Sequence, residues 1–272
     1  MPKVNGSTAV AAGTPVTVAC MKWGKLYGPD YVNRLARGVA RHLTYPHRFV
    51  CFTDDATGFD PGIEVRAIPV LHLPDGKVDT RWRKLGLFSA PLADLTGIVL
   101  FLDLDLVILD SLDPFFTHPG IVPIIRDMDL FRPNHLRRWF RPERQAFLDK
   151  VGNSSVFRFE AGGHDHVLTR FLADPDAAMA AFRISQQFQS DALQKTEELS
   201  FWPKGWCVSF KNDCVPRGVQ SYLRDPAPPP GTKIVVFAGT PKMTDVLEGG
   251  GHRWYRRIGK IDWLKRAWEH SA

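Results

Sequence analysis

Short apolar runs alternate with stretches in which apolar residues recur every three or four positions, the pattern of strands feeding into amphipathic helices. Pro15 to Cys20 reads as a strand, Asp30 to Leu43 as a helix, and Arg48 to Phe52 as a second strand ending at Thr53-Asp54-Asp55. A helix is expected at about Arg83 to Ala93, followed by the most hydrophobic stretch of the chain, Gly97 to Leu109. Alternating strands and helices build a parallel sheet covered on both faces, which explains why that stretch is apolar almost without interruption. The predicted fold class is α/β, with a Rossmann-like, mostly parallel sheet and flanking helices.

Beyond Asp113-Pro114 the pattern loosens. An Arg-rich aromatic segment at Arg132 to Phe147 precedes a strand at Ser155 to Phe159, a helix near His166 to Leu172, a Pro-rich linker at Asp225 to Gly231 and a strand at Lys233 to Phe237. Near the C-terminus Ile261, Leu264 and Trp268 share one helical face among basic residues. Such a face docks on its own domain or lies on an anionic membrane surface, and docking is the ordinary behaviour.

With 272 residues, 44% of them hydrophobic, the chain can bury a full core, and a single domain is expected. No charged segment followed by a sustained apolar run opens the chain, and no stretch of about 18 apolar residues occurs. A soluble cytoplasmic protein is therefore expected, with peripheral membrane contact through the C-terminal tail as the alternative. Cys20, Cys51, Cys207 and Cys214 form no Cys-x-x-Cys pair and read as reduced thiols, leaving only Cys207 and Cys214 as a candidate disulfide or metal pair. A net charge of +6 and a pI near 9.2 point to an anionic partner. Acids interleave with the basic residues and no zinc-finger or RNA-binding signature accompanies them, so nucleic acid is not expected.

Chemistry enters at Asp103-Leu104-Asp105, two carboxylates inside the apolar stretch. A charge drawn out of water costs several kcal/mol unless it is protonated or given a cation, on the order of the penalties known for buried ions. On an extended strand the period of two sends both carboxylates to one side and Leu102, Leu104 and Leu106 to the other. Paired oxygen ligands suit Mn²⁺ or Mg²⁺, ions that keep some waters and bind substrate phosphates. Ligands of parallel α/β sheets bind at the carboxyl ends of strands, where this pair is expected.

The segment Phe101 to Phe116, FLDLDLVILDSLDPFF, resembles nucleotide-sugar glycosyltransferases of the type A fold, especially the glycogenin and family 8 group. Further phrases resemble that group in the expected order: the basic helix at Arg81 to Leu92, the strand Asn153-Ser-Ser-Val-Phe-Arg-Phe, the acceptor-side segment Gln189-Ser-Asp191, and the loop Gly239-Thr-Pro-Lys242. The resemblance spans roughly Val16 to Lys242 and implies a glycosyltransferase domain over 1–248, its nucleotide-binding half at about 14–112 and its acceptor half at about 113–248, followed by a basic aromatic tail at 249–272. Two departures stand out. The group's metal-binding His is replaced by Ala238, or by Phe237 if the register slips, leaving His252 or water for the third ligand position; Met243 stands where the group often has Pro.

What the resemblance implies is metal-dependent transfer of a sugar from a nucleoside diphosphate sugar, a UDP-sugar above all, to a hydroxyl of a glycan, lipid or small-molecule acceptor, with retention favoured. Asp103 and Asp105 would hold Mn²⁺ or Mg²⁺, with Leu104 between them in the motif. Lys242 and the backbone at Gly239 would hold the phosphates. Arg81 and Lys84, three apart on a helix, would share a face toward the donor. Met21, Lys22, Trp23 and Tyr27 after the first strand, and Thr53 and Asp54 after the second, would meet the base or ribose. Asn153 and Ser154 would bind sugar hydroxyls, and Asp191 would be the acceptor-side carboxylate. Two other readings stay open: a non-catalytic nucleotide- or glycan-binding relative, and a phosphatase of the haloacid dehalogenase type, which also carries Asp-x-Asp but normally near its N-terminus.

Overall fold

The computed structural model of the chain describes residues 10–11, 13–71, 73, 80–130, 142–253 and 256–269. Its backbone is a seven-stranded sheet in the order β3-β2-β1-β4-β7-β6-β8. The strands are β1 (Val16–Lys22), β2 (His47–Thr53), β3 (Glu64–Arg66), β4 (Ile98–Leu102), β6 (Val122–Arg126), β7 (Gly152–Glu160) and β8 (Leu199–Phe201). β3, β2, β1 and β4 run parallel, β7 is antiparallel to both β4 and β6, and β8 is parallel to β6. The predicted mostly parallel α/β sheet is what forms. Beside it lies a small sheet, β5 (Leu106–Ile108), β10 (Ile234–Val236) and β9 (Cys207–Ser209), in the order β5-β10-β9.

The Pro29–His42 helix returns the chain from β1 to β2, burying Val32, Leu35 and Val39. Pro29 in its first turn and Asp30 beside the unsatisfied N–H groups favour its start. One core lies on each face of the large sheet. In the large sheet the strands of the first proposed half, β3, β2, β1 and β4, lie side by side and join β7, β6 and β8 of the second half at the β4–β7 pairing, so the two halves share one sheet.

Two local expectations are corrected. The expected Arg83–Ala93 helix is a tight 3₁₀ segment, Thr80–Phe88. A Cβ on Gly86 would come 2.8 Å from Pro69 Cβ, so only glycine admits this approach, and Pro91 disfavours helical backbone at the residue before it. The Gly97–Leu109 stretch is not one strand. β4 stops at Leu102 and β5 starts at Leu106, each in a different sheet, with Asp103-Leu104-Asp105 as the bridge.

The Asp262–Glu269 helix is docked. Leu264 is fully buried, Ile261 nearly so, Trp268 meets Tyr31 edge-on at 5.2 Å between ring centroids, and the Arg34 guanidinium lies 4.6 Å over the Trp268 ring. Burying Leu264 alone contributes about 2 kcal/mol. The face that suggested membrane contact is thus spent on the domain. All four cysteines are buried and unbridged, so Cys207 and Cys214 form no disulfide, and burial pushes the Cys214 thiol up to about 12. Of the Arg-rich segment, residues 131–141 lie outside the described residues, and so do Trp254 and Tyr255.

Candidate active site

At the carboxyl ends of β1 and β4 the chain leaves a cavity of about 770 Å³, a volume typical of small-molecule sites. Its floor is the Asp103–Asp105 bridge. That bridge is pinned at both ends: Asp103 N–H donates to Ser155 O of β7 at 2.8 Å, and Asp105 O accepts from Phe237 N–H, just past β10, at 2.8 Å. Leu104 is 4% exposed and packs with the core. Both carboxylates reach the cavity as expected, but by a bend between two sheets rather than by strand alternation.

The two carboxylates differ in what holds them. Lys84 Nζ sits 2.5 Å from Asp103 Oδ1 and 2.7 Å from Oδ2, an ion pair straddling both oxygens. Asp105 accepts from the Tyr27 hydroxyl at 3.2 Å, and Lys242 Nζ stands 4.0 Å away while donating to that hydroxyl at 2.9 Å. Burial and then the neighbouring Asp103 push the Asp105 carboxyl up to about 6, against the pull of Lys84, Lys242 and Tyr27. Burial and the Asp105 charge likewise push the Tyr27 phenol up.

The opposite wall comes from β7 and the start of the Ser185–Lys195 helix: Asn153, Ser154, Ser155, Ile184, Ser185 and Gln186. Asp127, after β6, stands behind this wall. Its Oδ1 accepts from Asn153 Nδ2 at 3.2 Å and from Gln186 Nε2 at 3.0 Å, which fixes both side chains in the wall. Burial raises the Asp127 carboxyl, and the two amides oppose that rise.

Of the residues singled out in the sequence, Met21, Trp23, Tyr27, Arg81, Lys84, Asp103, Leu104, Asp105, Asn153, Ser154, Gly239 and Lys242 line this cavity. Four do not. Lys22 is buried and donates to Asp55 O at 3.1 Å; Thr53 Oγ1 donates to that same carbonyl at 2.9 Å; Asp54 accepts from Gly24 N–H at 3.3 Å. These three tie two loops together. Asp191 faces away from the cavity, in ion pairs with Arg170 at 2.6 Å and Lys195 at 3.3 Å. Ser190 Oγ donates to Gln186 O and accepts from Gly152 N–H, which seats the helix's 189–190 region on β7 and leaves its first turn, Ser185 and Gln186, at the cavity.

Sequence reasoning also missed Leu26, Ser155, Ile184, Ser185, Gln186, Lys211 and, as a lining residue, Ala238. Lys211 had a signal in the Ser209-Phe210-Lys211 run ending an apolar strand, but only the pairing of β9 with β10 brings it beside Gly239.

Asp103 and Asp105 offer hard oxygen donors of the kind Mn²⁺ and Mg²⁺ take, ions content to complete their shell with water and phosphate, so the donor set fits such an ion as a two-carboxylate site. The suggested third ligands do not join it. Ala238 has no donor side chain, Phe237 is buried and stacked on Phe210 at 4.6 Å, and His252 Nδ1 accepts from Ile258 N–H at 3.0 Å, outside the cavity lining. Among the described residues no group of three or more His, Cys, Asp or Glu side chains is arranged to hold a metal.

No family model and no curated protein matches the sequence. Solved structures do match the fold. The galactosyltransferase LgtC, solved with donor and acceptor sugar analogues, superposes with a TM-score of 0.55 at 14% identity over 94% of this chain and 95% of that one. The chain has the type A glycosyltransferase fold. The bifunctional glycosyltransferase WbbM superposes with a TM-score of 0.55 at 14% identity, over 98% of this chain and 53% of its own. The glycosyltransferase GlyE of Streptococcus pneumoniae TIGR4 gives 0.55 at 10% identity, over 95% of this chain and 60% of that one. In this type A glycosyltransferase fold no described helix is long and apolar enough to cross a membrane.

Proposed function

We propose that the protein transfers a sugar from a nucleoside diphosphate sugar, with a UDP-sugar as the first candidate, to a hydroxyl of a glycan, lipid or small-molecule acceptor. The observation that carries this reading is one cavity in a type A fold where Asp103 and Asp105 meet four cationic side chains, Arg81, Lys84, Lys211 and Lys242. As the anomeric bond breaks, negative charge grows on the departing diphosphate, and preorganised cations lining the cavity stabilise it. A Mn²⁺ or Mg²⁺ held by Asp103 and Asp105 would supply Lewis-acid stabilisation of the same charge. Lys84 positions Asp103 through both its oxygens, and the Tyr27 hydroxyl, itself held by Lys242, positions Asp105. Trp23 and Met21 offer an apolar wall for the base.

Retention is the favoured stereochemistry. Inversion needs a general base placed to take the acceptor's proton, yet among the described residues the cavity lining holds no imidazole and no carboxylate besides Asp103 and Asp105, on the diphosphate side. The acceptor side presents the neutral groups Asn153, Ser154, Ser185 and Gln186, suited to holding hydroxyls. The same inventory disfavours the phosphatase reading, which requires a later acidic pair at the site. Screening UDP, GDP, CMP and TDP sugars with Mn²⁺ for thermal stabilisation and slow donor hydrolysis tests the proposal. Stabilisation with sugar release supports it. Binding without turnover toward any acceptor supports a non-catalytic relative, and release of phosphate from a phosphomonoester supports the phosphatase.

A further inference from the structure

Lys211 lies on a single wide π-helical turn, Phe210–Cys214, immediately after β9. Such turns are rare, and they concentrate at functional sites. This one is tied down on three sides: Ser209 N–H donates to Asp213 Oδ2 at 2.7 Å, Asn212 Nδ2 to Leu130 O at 2.7 Å, and Arg256 Nη1 to Lys211 O at 3.1 Å. The side chain reaches the cavity wall, where its ammonium donates to Ala238 O at 3.0 Å. Gly239 makes the room. Its φ is +82°, and a Cβ built there would come within 3.3 Å of Lys211 Nζ.

An ammonium carries three N–H donors, and the carbonyl of Ala238 uses one. The remaining two have no partner among the described residues and lie at the cavity lining, beside the Ala238–Gly239 turn. Burial and the nearby Arg256 both lower the Lys211 ammonium's proton affinity, as befits a cation awaiting an anion. Lys242 lines the cavity on the far side of the same turn. An ammonium is a compact point charge that grips phosphate without a carboxylate partner.

We propose that Lys211 is a diphosphate-binding residue of the donor site, so that the ammonium groups flanking the Ala238–Lys242 turn hold the donor's phosphates beside a metal site with only two protein ligands. The inference rests on the donor reading above and adds to it a cation from a part of the chain outside the recognised motifs. It predicts measurable diphosphate affinity when divalent metal is withheld.

The test is calorimetry on the full chain in EDTA with UDP, UMP and inorganic pyrophosphate, for wild type, Lys211→Met and Lys211→Gln. The Gln variant keeps an N–H donor for Ala238 O, so it guards against a Met variant that fails to fold. Loss of a charged hydrogen bond to phosphate should weaken UDP and pyrophosphate roughly ten- to a hundredfold. The preference for UDP over UMP should shrink, because a second phosphate loses its partner. Variants that bind within twofold of wild type, or that lose UDP and UMP by the same factor, would overturn the role of Lys211 while leaving the donor reading standing. A wild type that binds neither UDP nor pyrophosphate in EDTA would overturn the role of Lys211, and only one that also fails to bind UDP with Mn²⁺ would bring down the donor reading.

Discussion

Asp103 and Asp105 are two residues apart and share one cavity, yet they sit in opposite electrostatic conditions. The Asp103 end of the bridge hangs from the large sheet through Ser155 and carries a lysine across both its oxygens. The Asp105 end hangs from the small sheet through Phe237 and has a phenol, with an ammonium held off at 4.0 Å. One carboxylate is already compensated. The other is buried with its charge only partly answered, which is why its carboxyl is pushed up to about 6. The contrast teaches that the two carboxylates of this Asp-x-Asp segment are not equivalent: the sheet each residue hangs from goes with a different partner.

The largest expected effect erases the comparison altogether. Asp103→Asn and Asp105→Asn should each cost at least a hundredfold in sugar transfer, on the order seen when an electrostatic stabiliser of a transition state is removed. Transfer at the wild-type rate by either variant would sink the proposed role of the pair. The fold should survive both changes, as near- and far-UV circular dichroism would show.

Stability of the metal-free protein sharpens the contrast, because the same two variants should move it in opposite directions. Asp105→Asn removes a poorly compensated buried charge and keeps an acceptor for Tyr27, so it should stabilise by about 3 kcal/mol at pH 7, from a carboxyl raised from 3.8 to about 6. The sign follows from linkage. A raised folded-state pKa makes the wild type most stable below about pH 4 and costs it stability as pH climbs through about 6, so the gap between variant and wild type should open across that window and stay level above it. Asp103→Asn strands the Lys84 ammonium and should destabilise by about 1–2 kcal/mol. Urea melts at pH 4, 6 and 8 measure both, and equal shifts of the same sign would break the comparison.

A smaller effect concerns the other wall. Asp127→Ala leaves the Asn153 and Gln186 amides without their shared acceptor and should lower kcat/KM about three- to tenfold, mostly through KM for the acceptor, whereas Asp127→Asn, which can still accept through Oδ1, should stay near wild type. The smallest effect is expected at Asp191. Asp191→Asn breaks ion pairs with Arg170 and Lys195 outside the cavity, so transfer should remain within about twofold, with stability changed by less than about 1 kcal/mol.

Much of the fold could be read from residue pattern. The strand, helix, strand opening and the later strands at β7 and β10 fall where periodicity puts them, because buried parallel strands must be continuously apolar and a helix on a sheet must be amphipathic. The errors have a common cause. Gly97 to Leu109 looks like one strand because apolar content is the same in either sheet, and only the pairing partners show the break. Asp191, singled out because a short phrase resembled a motif, lies outside the cavity lining. A helix presents different residues every 100 degrees, and packing against β7, not spelling, sets which turn faces the cavity.

Sequence alone determined the α/β architecture, the apolar face of the C-terminal helix and the placing of two carboxylates among apolar residues at Asp103 and Asp105, since burial periodicity and the cost of a charge among apolar residues are local properties of the chain. Tertiary structure decided which lysine serves which carboxylate, that Lys22, Thr53 and Asp54 secure loops instead of lining the cavity, and that Lys211 arrives beside Gly239. Those outcomes depend on contacts between segments far apart in sequence, and electrostatic partnership falls off over a few ångströms of space whatever the number of residues between.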